Sequence, residues 1–510
     1  MSFEDVSQAL NSLVKMVTEV YRGYHQYTMA ETVFSGLLAG EPVLLIGSHG
    51  SMKTSMANFI GKLFDKPVVT LEETVHSRSS LEKFFEDLGG KLKVDPESLS
   101  RNLVDGINIQ YDQTGKMLNI RIEVDVVKHP EAKKLGEPYR KLVEVFSMQV
   151  NDQMDPEEIL GYGIDHPAIL GQKPPHAVKA GKLAGADYVV LDEIFAASRL
   201  ISKLHHALNE KIVDTTVGPI ETKPLSWVLC TNPFNSFYQT NVKIVNAATL
   251  DRYAFSARSL PPSVQEILLM AERWKKLSIK KRVPVELVYE ARSLMDAVKV
   301  PEEYMIFCLG IVSHLSRCYF STSQGKRAEE SKDPFETERD CSLCIYKDLP
   351  CGFANIGKVR TIIRLHQGMK AHALLNMRSV VDIEDLEFAL LNVLPHRLSW
   401  NDQQFLTMQG SMFTATKALV ENYAGLFTSQ YAHIKRIEEL IKKPDPKVAM
   451  ELEAKYRDAP VVRAFLDEVV DMMKESAKKK GDVASLEVLE PKLRITNALE
   501  AVKTSLPNKH

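Results

Sequence analysis

What this chain has little of narrows its class first. Six cysteines in 510 residues cannot form the dense disulfide framework of a small secreted domain. No uninterrupted apolar stretch approaches the roughly 18 to 20 residues of a membrane-spanning helix. Charge of one sign is not in excess: 64 Lys+Arg against 66 Asp+Glu leave a net charge of −2. No global basic field therefore points to nucleic acid or an anionic membrane. Proline and glycine are not enriched as in fibrous or low-complexity chains, and neither a repeat nor a biased tract is visible. The opening Met1-Ser2-Phe3-Glu4-Asp5 is acidic where a secretory leader would be basic, and no apolar core follows. A cytoplasmic protein is the expectation. What is there is a globular composition, 45% hydrophobic and 25% charged, with length for two to four domains.

Patterning divides the chain. Val6, Leu10, Leu13, Val14, Val17 and Val20 recur at helical spacing, and a second helical stretch at 28–39 ends at Gly40. The run Val43-Leu44-Leu45-Ile46 is too short for a helix and reads as a buried strand; 56–64 is helical again. Tyr188-Val189-Val190-Leu191 and Trp227-Val228-Leu229-Cys230 are further buried strands. This alternation predicts an α/β domain with a mostly parallel sheet. Residues 75–143 carry charged helical stretches and a hairpin of 107–111 with 117–126. From Pro262 onward helices dominate. Residues 323–340 are polar and charged without apolar periodicity, as in an exposed loop, and the last hundred residues read as helical, including 412–421 and 461–474.

Chemistry enters after the first buried strand. Gly47-Ser48-His49-Gly50-Ser51-Met52-Lys53-Thr54 precedes a helix, which is the phosphate-loop pattern in its strand–loop–helix context. Gly47 and Gly50 permit a backbone path that turns several N–H groups onto an anion, and the helix adds its positive end. Lys53 is the expected counter-charge to the β- and γ-phosphates, and Thr54 the expected hydroxyl ligand of Mg²⁺. Met52 stands where the common pattern has glycine, which is tolerable if that residue has helical φ/ψ.

A second strand, 188–191, delivers Asp192 and Glu193 at its C-terminal end, where open parallel sheets bind ligands. Asp192 suits a Mg²⁺-holding role, and Glu193 that of orienting and deprotonating an attacking water. A strand ending in two solvated acids is common by itself; the upstream phosphate loop makes that reading poor. The third strand ends in Thr231-Asn232-Pro233, and an amide there can polarise the water or touch the γ-phosphate. Alone, Asn232 would read as a turn former before proline.

These three motifs in this order resemble the AAA+ ATPases, and the text around them resembles the MoxR clade. Glu31-Thr32-Val33, the run from Leu37 to Gly47, Met154 to Gly161, and Leu191 to Ser198 carry that resemblance. It implies an α/β P-loop core with a parallel sheet and helices on both faces, then a helical lid and a helical C-terminal region. The implied bounds are 1–262 for the nucleotide-binding domain with an insertion at 75–143, 263–400 for the lid, and 401–510 for the C-terminal region. The clade often carries alanine before the loop lysine, which eases the departure at Met52. The resemblance makes Asn232 the sensor 1 residue and Arg252, in Leu250-Asp251-Arg252-Tyr253, an arginine finger acting on a neighbour, with Arg258 in reserve. It makes Arg360, in Gly357-Lys358-Val359-Arg360, the sensor 2 residue, and 210–225 a hairpin directed toward a pore. Without that framework either arginine would be read as a surface salt-bridge former.

By the same resemblance, ATP hydrolysis with Mg²⁺ in a hexameric ring would remodel or assemble client proteins, with a separate von Willebrand factor A domain protein as partner. The alternative from the same AAA+ branch is a nucleic-acid motor or loader. The basic runs at 275–276, 280–282 and 478–480 support it only thinly, since such runs are usually solvated faces. A scaffold that binds ATP without turnover is opposed by Glu193 and Arg252.

Four cysteines cluster inside the expected lid, Cys318, Cys341, Cys344 and Cys351. A CxxC pair offers two thiolates to a tetrahedral metal, and two further cysteines close the shell. The charged loop at 323–340 has few apolar residues to order it, so a metal staple has a structural task. Zn²⁺, a [4Fe–4S] cluster and free thiols all stay open. His314 is a substitute ligand or a satisfied helix histidine, and Cys230 and Cys308 read as core thiols.

Overall fold

The computed structural model describes residues 2–21, 29–100, 104–114, 117–151, 153, 161–165, 176–180, 183, 185–196, 198–215, 218–233, 247–264, 267–268, 282–316, 348–357, 359–456 and 460–489. The valine and leucine repeat at the start forms α1 (Phe3–Tyr21), with Val6, Leu10 and Val17 wholly buried along one stripe. α2 (Met29–Ala39) follows, and Gly40 ends it at φ +67°, which glycine adopts without strain. β1 (Val43–Gly47) is buried at every position, as a strand covered on both faces must be.

α3 (Lys53–Gly61) stops short of the helix expected at 56–64, and Phe64 opens β2 (Phe64–Val75). Leu63 and Phe64 are both buried, and an apolar pair fits helix and strand periods alike, so periodicity could not separate them. After α4 (Arg78–Leu92), β3 (Ile107–Thr114) and β4 (Met117–Asp125) form an antiparallel hairpin. β2 lies antiparallel to β4 and to β5 (Tyr139–Leu142). This sheet has its own core, in which Phe85, Leu88 and Leu92 of α4 meet Ile120, Ile122 and Val124 of β4. The longest strand of this sheet, β2, starts at Phe64, ahead of residue 75 where the insertion was expected to begin.

The chain then enters the main sheet with β6 (Val145–Gln149). A hairpin of β7 (Gly161–Asp165) and β8 (His176–Ala180) precedes β9 (Tyr188–Asp192). α5 (Ser198–Asn209) leads to a hairpin of β10 (Ile212–Thr215) and β11 (Gly218–Glu221). β12 (Trp227–Thr231), α6 (Ala247–Leu250) and β13 (Phe255–Ser259) complete this part. The spatial order is β13-β1-β12-β9-β6, with every neighbouring pair parallel. The C-terminal ends of β1, β9 and β12 thus share one edge, where such sheets bind ligands.

Lys66 of β2 ties the inserted sheet to the base of β9. Its Nζ lies 2.5 Å from Asp187 Oδ1 and 3.6 Å from Asp125 Oδ2, all three groups being nearly buried. Burial works against the charge of Lys66, yet Asp187 and Asp125 more than offset that and hold its pKa above the ordinary lysine value. A buried charge requires such pairing.

Helices dominate the rest: β14 (Val283–Pro284), which joins the inserted sheet beside β2, is followed by α7 (Glu286–Met295), α8 (Glu302–Leu315), α9 (Val359–Leu375), α10 (Ile383–Val393), α11 (Met412–Lys442) and α12 (Pro460–Lys480). The chain forms two compact units, residues 1–300 with 366–393, and residues 301–365 with 394–510. Residues 263–400, expected as the lid, contribute to both units. In the first unit α7 packs on α1 and α2, and α10 on β13; helical periodicity reveals an apolar face but not its partner. In the second unit α8 and α11 pack on α12, and Phe307 meets Tyr423 and Phe427 edge-on at 5.3 and 5.0 Å. Among the described residues no helix is long and apolar enough to cross a membrane.

Candidate active site

The loop after β1 is shaped by backbone constraints. A Cβ on Gly47 would stand 2.2 Å from the Ser259 carbonyl of β13, so only glycine fits that register. Gly50 takes φ +73°. Met52 takes φ 66° and ψ 11°, the left-handed region. The right-handed helical conformation expected there is therefore not adopted: methionine occupies the conformation for which the pattern uses glycine. For a residue with a Cβ this costs roughly 1–2 kcal/mol. α3 starts at the next residue, with its N-terminal N–H groups available to an anion.

Lys53 is buried. Its Nζ donates to Gly47 O at 2.6 Å, to Ser48 O at 2.9 Å and to Ser51 Oγ at 3.2 Å. Burial lowers its pKa below the ordinary lysine value, against the pull of nearby Asp192 and Glu193. The ammonium has three donors, and all are held by the loop, so a phosphate must exchange with some of these acceptors to reach it.

Asp192 and Thr54 meet directly, Thr54 Oγ1 donating to Asp192 Oδ2 at 2.6 Å. The other carboxylate oxygen of Asp192 accepts the Glu193 N–H at 2.9 Å. Glu193 itself sits at φ 53°, a left-handed backbone of the kind found at functional sites. Asn232, 4% exposed, follows β12, which lies between β1 and β9.

These parts surround one cleft of about 170 Å³. Residues His49 to Ser55 form one wall, and Asp192, Glu193 and Asn232 the other. The volume is below the roughly 300–1,000 Å³ that encloses a whole drug-sized ligand, and fits the phosphate end of one. Gly47 and Ser48 do not line the cleft; their carbonyls hold Lys53 from beneath.

Cys230, on β12, is wholly buried near Lys53, Asp192 and Thr54, and burial pushes its thiol up to about 12. It is a core thiol at the floor of the site. Sequence reasoning missed Ser259: its Oγ donates to Ser51 O at 2.7 Å, across 208 residues of chain. No local signal marks that serine.

Arg252 does not line the cleft. It follows α6 half-buried, with Nη1 donating to Ala248 O at 2.5 Å. Beside it His205 Nε2 lies 3.3 Å from Thr249 Oγ1, and burial followed by the Arg252 charge lowers the His205 pKa. Arg258 is half-buried in β13. Arg360 stands exposed in the first turn of α9, within the second compact unit. Cys318, Cys341 and Cys344 lie outside the described residues, as do residues 323–340. Cys351 is half-buried, and its carbonyl accepts Asn401 Nδ2 at 3.2 Å. His314 is wholly buried in α8, its ring centroid 5.7 Å from that of Tyr423.

Residues 350–412 match the family model of the AAA lid domain. A search of curated proteins found no match to this chain. Among solved structures, the chain is similar to a "putative ATPase" from Cytophaga hutchinsonii, at 17% identity over 82% of this chain and 96% of that one, with a TM-score of 0.49. A full-length MCM homolog from Methanopyrus kandleri is similar at 11% identity, over 76% of this chain and 60% of that one, with a TM-score of 0.36. The parallel sheet, the lid match and the helices beyond it make the fold an AAA+ core followed by a lid and a helical C-terminal region.

Proposed function

We propose that this chain is a Mg²⁺-dependent ATPase of the MoxR type that couples hydrolysis to the remodelling or assembly of partner proteins. The contact between Thr54 and Asp192, 138 residues apart in sequence and 2.6 Å apart in space, carries the reading. A hydroxyl and a carboxylate converging beside a buried lysine, at the N-terminus of a helix, form the donor set that a hard oxygen-seeking cation and a phosphate chain require.

Within this reading, Lys53 and the N–H groups at the start of α3 hold the β- and γ-phosphates. Thr54 and Asp192 would hold Mg²⁺, which when bound would neutralise charge on the phosphates. Glu193 orients a water and accepts its proton, and Asn232 polarises that water from β12. Arg252 acts on the site of a neighbouring subunit in a ring, which we take to be hexameric. Arg360 is assigned to the lid's response to nucleotide. The β10–β11 hairpin and a partner bearing a von Willebrand factor A domain belong to the proposed work on a client.

Two variants test the reading. Lys53→Ala should abolish binding of an ATP analogue in calorimetry, because ground-state charge is lost. Glu193→Gln should keep that binding and lose phosphate release, because only the water is left unprepared. Normal turnover in the Glu193 variant would remove it as the base.

A further inference from the structure

Ser259, the last residue of β13, is 2% exposed, and so is Ser51. Its hydroxyl donates to the Ser51 carbonyl at 2.7 Å. That carbonyl belongs to the peptide joining Ser51 to Met52, the residue held at φ 66°. In a planar trans peptide the C=O and the following N–H point in opposite directions. A carbonyl drawn toward β13 therefore sends the Met52 N–H the other way. Ser51 and Met52 line the cleft, whereas Ser259 does not. In the parallel register of β1 and β13, Ser259 pairs with Gly47, and a Cβ on Gly47 would meet the Ser259 carbonyl at 2.2 Å. Ser259 thus touches both ends of the loop.

We propose that Ser259 is a positioning residue of the phosphate loop: its hydroxyl holds the Ser51 carbonyl outward, aims the Met52 N–H into the cleft, and so lets methionine keep a conformation that glycine would adopt freely. The proposal rests on the reading that the cleft takes the phosphates of a nucleotide. With a glycine at 52 the loop would need no such hold, because the left-handed backbone is then unstrained. With methionine, the strain opposes the binding-ready loop, and the hydroxyl of Ser259 offsets it.

The consequence is a coupling between two residues, which a double-mutant cycle measures. Affinity for Mg²⁺–ADP is read by calorimetry on the full chain and its Ser259→Ala, Met52→Gly and doubly substituted forms. Ser259→Ala alone should weaken binding about five- to tenfold, the scale of losing one hydrogen bond to a buried carbonyl. In the Met52→Gly background the same change should cost less than about twofold. Ser259→Thr, which retains the hydroxyl, should bind nearly as the parent does. Ser259→Cys, close in size and a weak donor, should behave like the alanine form, and replaces it if that form does not fold.

Equal losses in both backgrounds, or no loss on removing the hydroxyl, would overturn the proposal. A purely structural role for Ser259 predicts lowered thermal stability without the dependence on residue 52. If the parent chain binds no nucleotide, the ATPase reading fails. The loop proposal is then decided by the same cycle in thermal unfolding, where coupling supports it and additivity rejects it.

Discussion

Thr54 Oγ1 donates its only proton to Asp192 Oδ2 at 2.6 Å, joining the first turn of α3 to the end of β9. The hydroxyl's lone pairs, and the lone pair of Asp192 Oδ1 that the Glu193 N–H does not take, then face a cation. Asp192→Asn keeps the size and removes the charge. It should raise the Mg²⁺ concentration for half-maximal activity by about tenfold, on the scale of one charge-assisted contact. Phosphate release titrated against Mg²⁺ at saturating ATP measures this, and an unchanged midpoint would remove Asp192 from the cation site.

Arg252 lies outside the cleft of its own chain, which is what action on a neighbour requires. Arg252→Ala should bind ATP normally and lose several orders of magnitude in turnover. Mixing it with Lys53→Ala should restore part of the activity, since some sites then combine an intact pocket with an intact finger. Rings shown to be mixed but inactive would count against action in trans.

His314 gives a pH dependence of known sign. Full burial lowers its pKa from 6.5 to about 3. Between these values the unfolded chain binds a proton that the folded chain refuses, so stability falls as pH drops. One linked proton changes the unfolding free energy by up to about 1.4 kcal/mol per pH unit. His314→Phe should flatten the decline between pH 7 and 5 in urea unfolding. Parallel declines in parent and variant would show that other groups carry it.

From their spacing in the sequence, we propose that Cys318, Cys341, Cys344 and Cys351 hold a metal. Purified protein should then contain about one metal site per chain held by thiolates. Colourless protein with zinc supports the structural ion, and brown protein with iron and sulfide supports a cluster. If anaerobically prepared protein carries neither, and Cys341→Ser with Cys344→Ser leaves the melting temperature unchanged, the four are free thiols.

The sequence by itself determined the parts of this protein whose conformation is set by near neighbours. Val43–Gly47 and Tyr188–Asp192 are continuous apolar runs, legible as buried strands, and the lysine and paired acids that follow them line one cleft. Asn232 follows a third such run and lines the same cleft. The tertiary structure alone decided what depends on distant partners. It placed Phe64 at the head of a strand in a second sheet rather than at the end of a helix, and put the helices expected in the lid into two units. It also set Met52 in the left-handed region and brought Ser259 to the Ser51 carbonyl. An apolar residue records only that it will be buried, and a serine only that it can donate. Which element buries the one, and which carbonyl receives the other, is settled by packing between segments hundreds of residues apart.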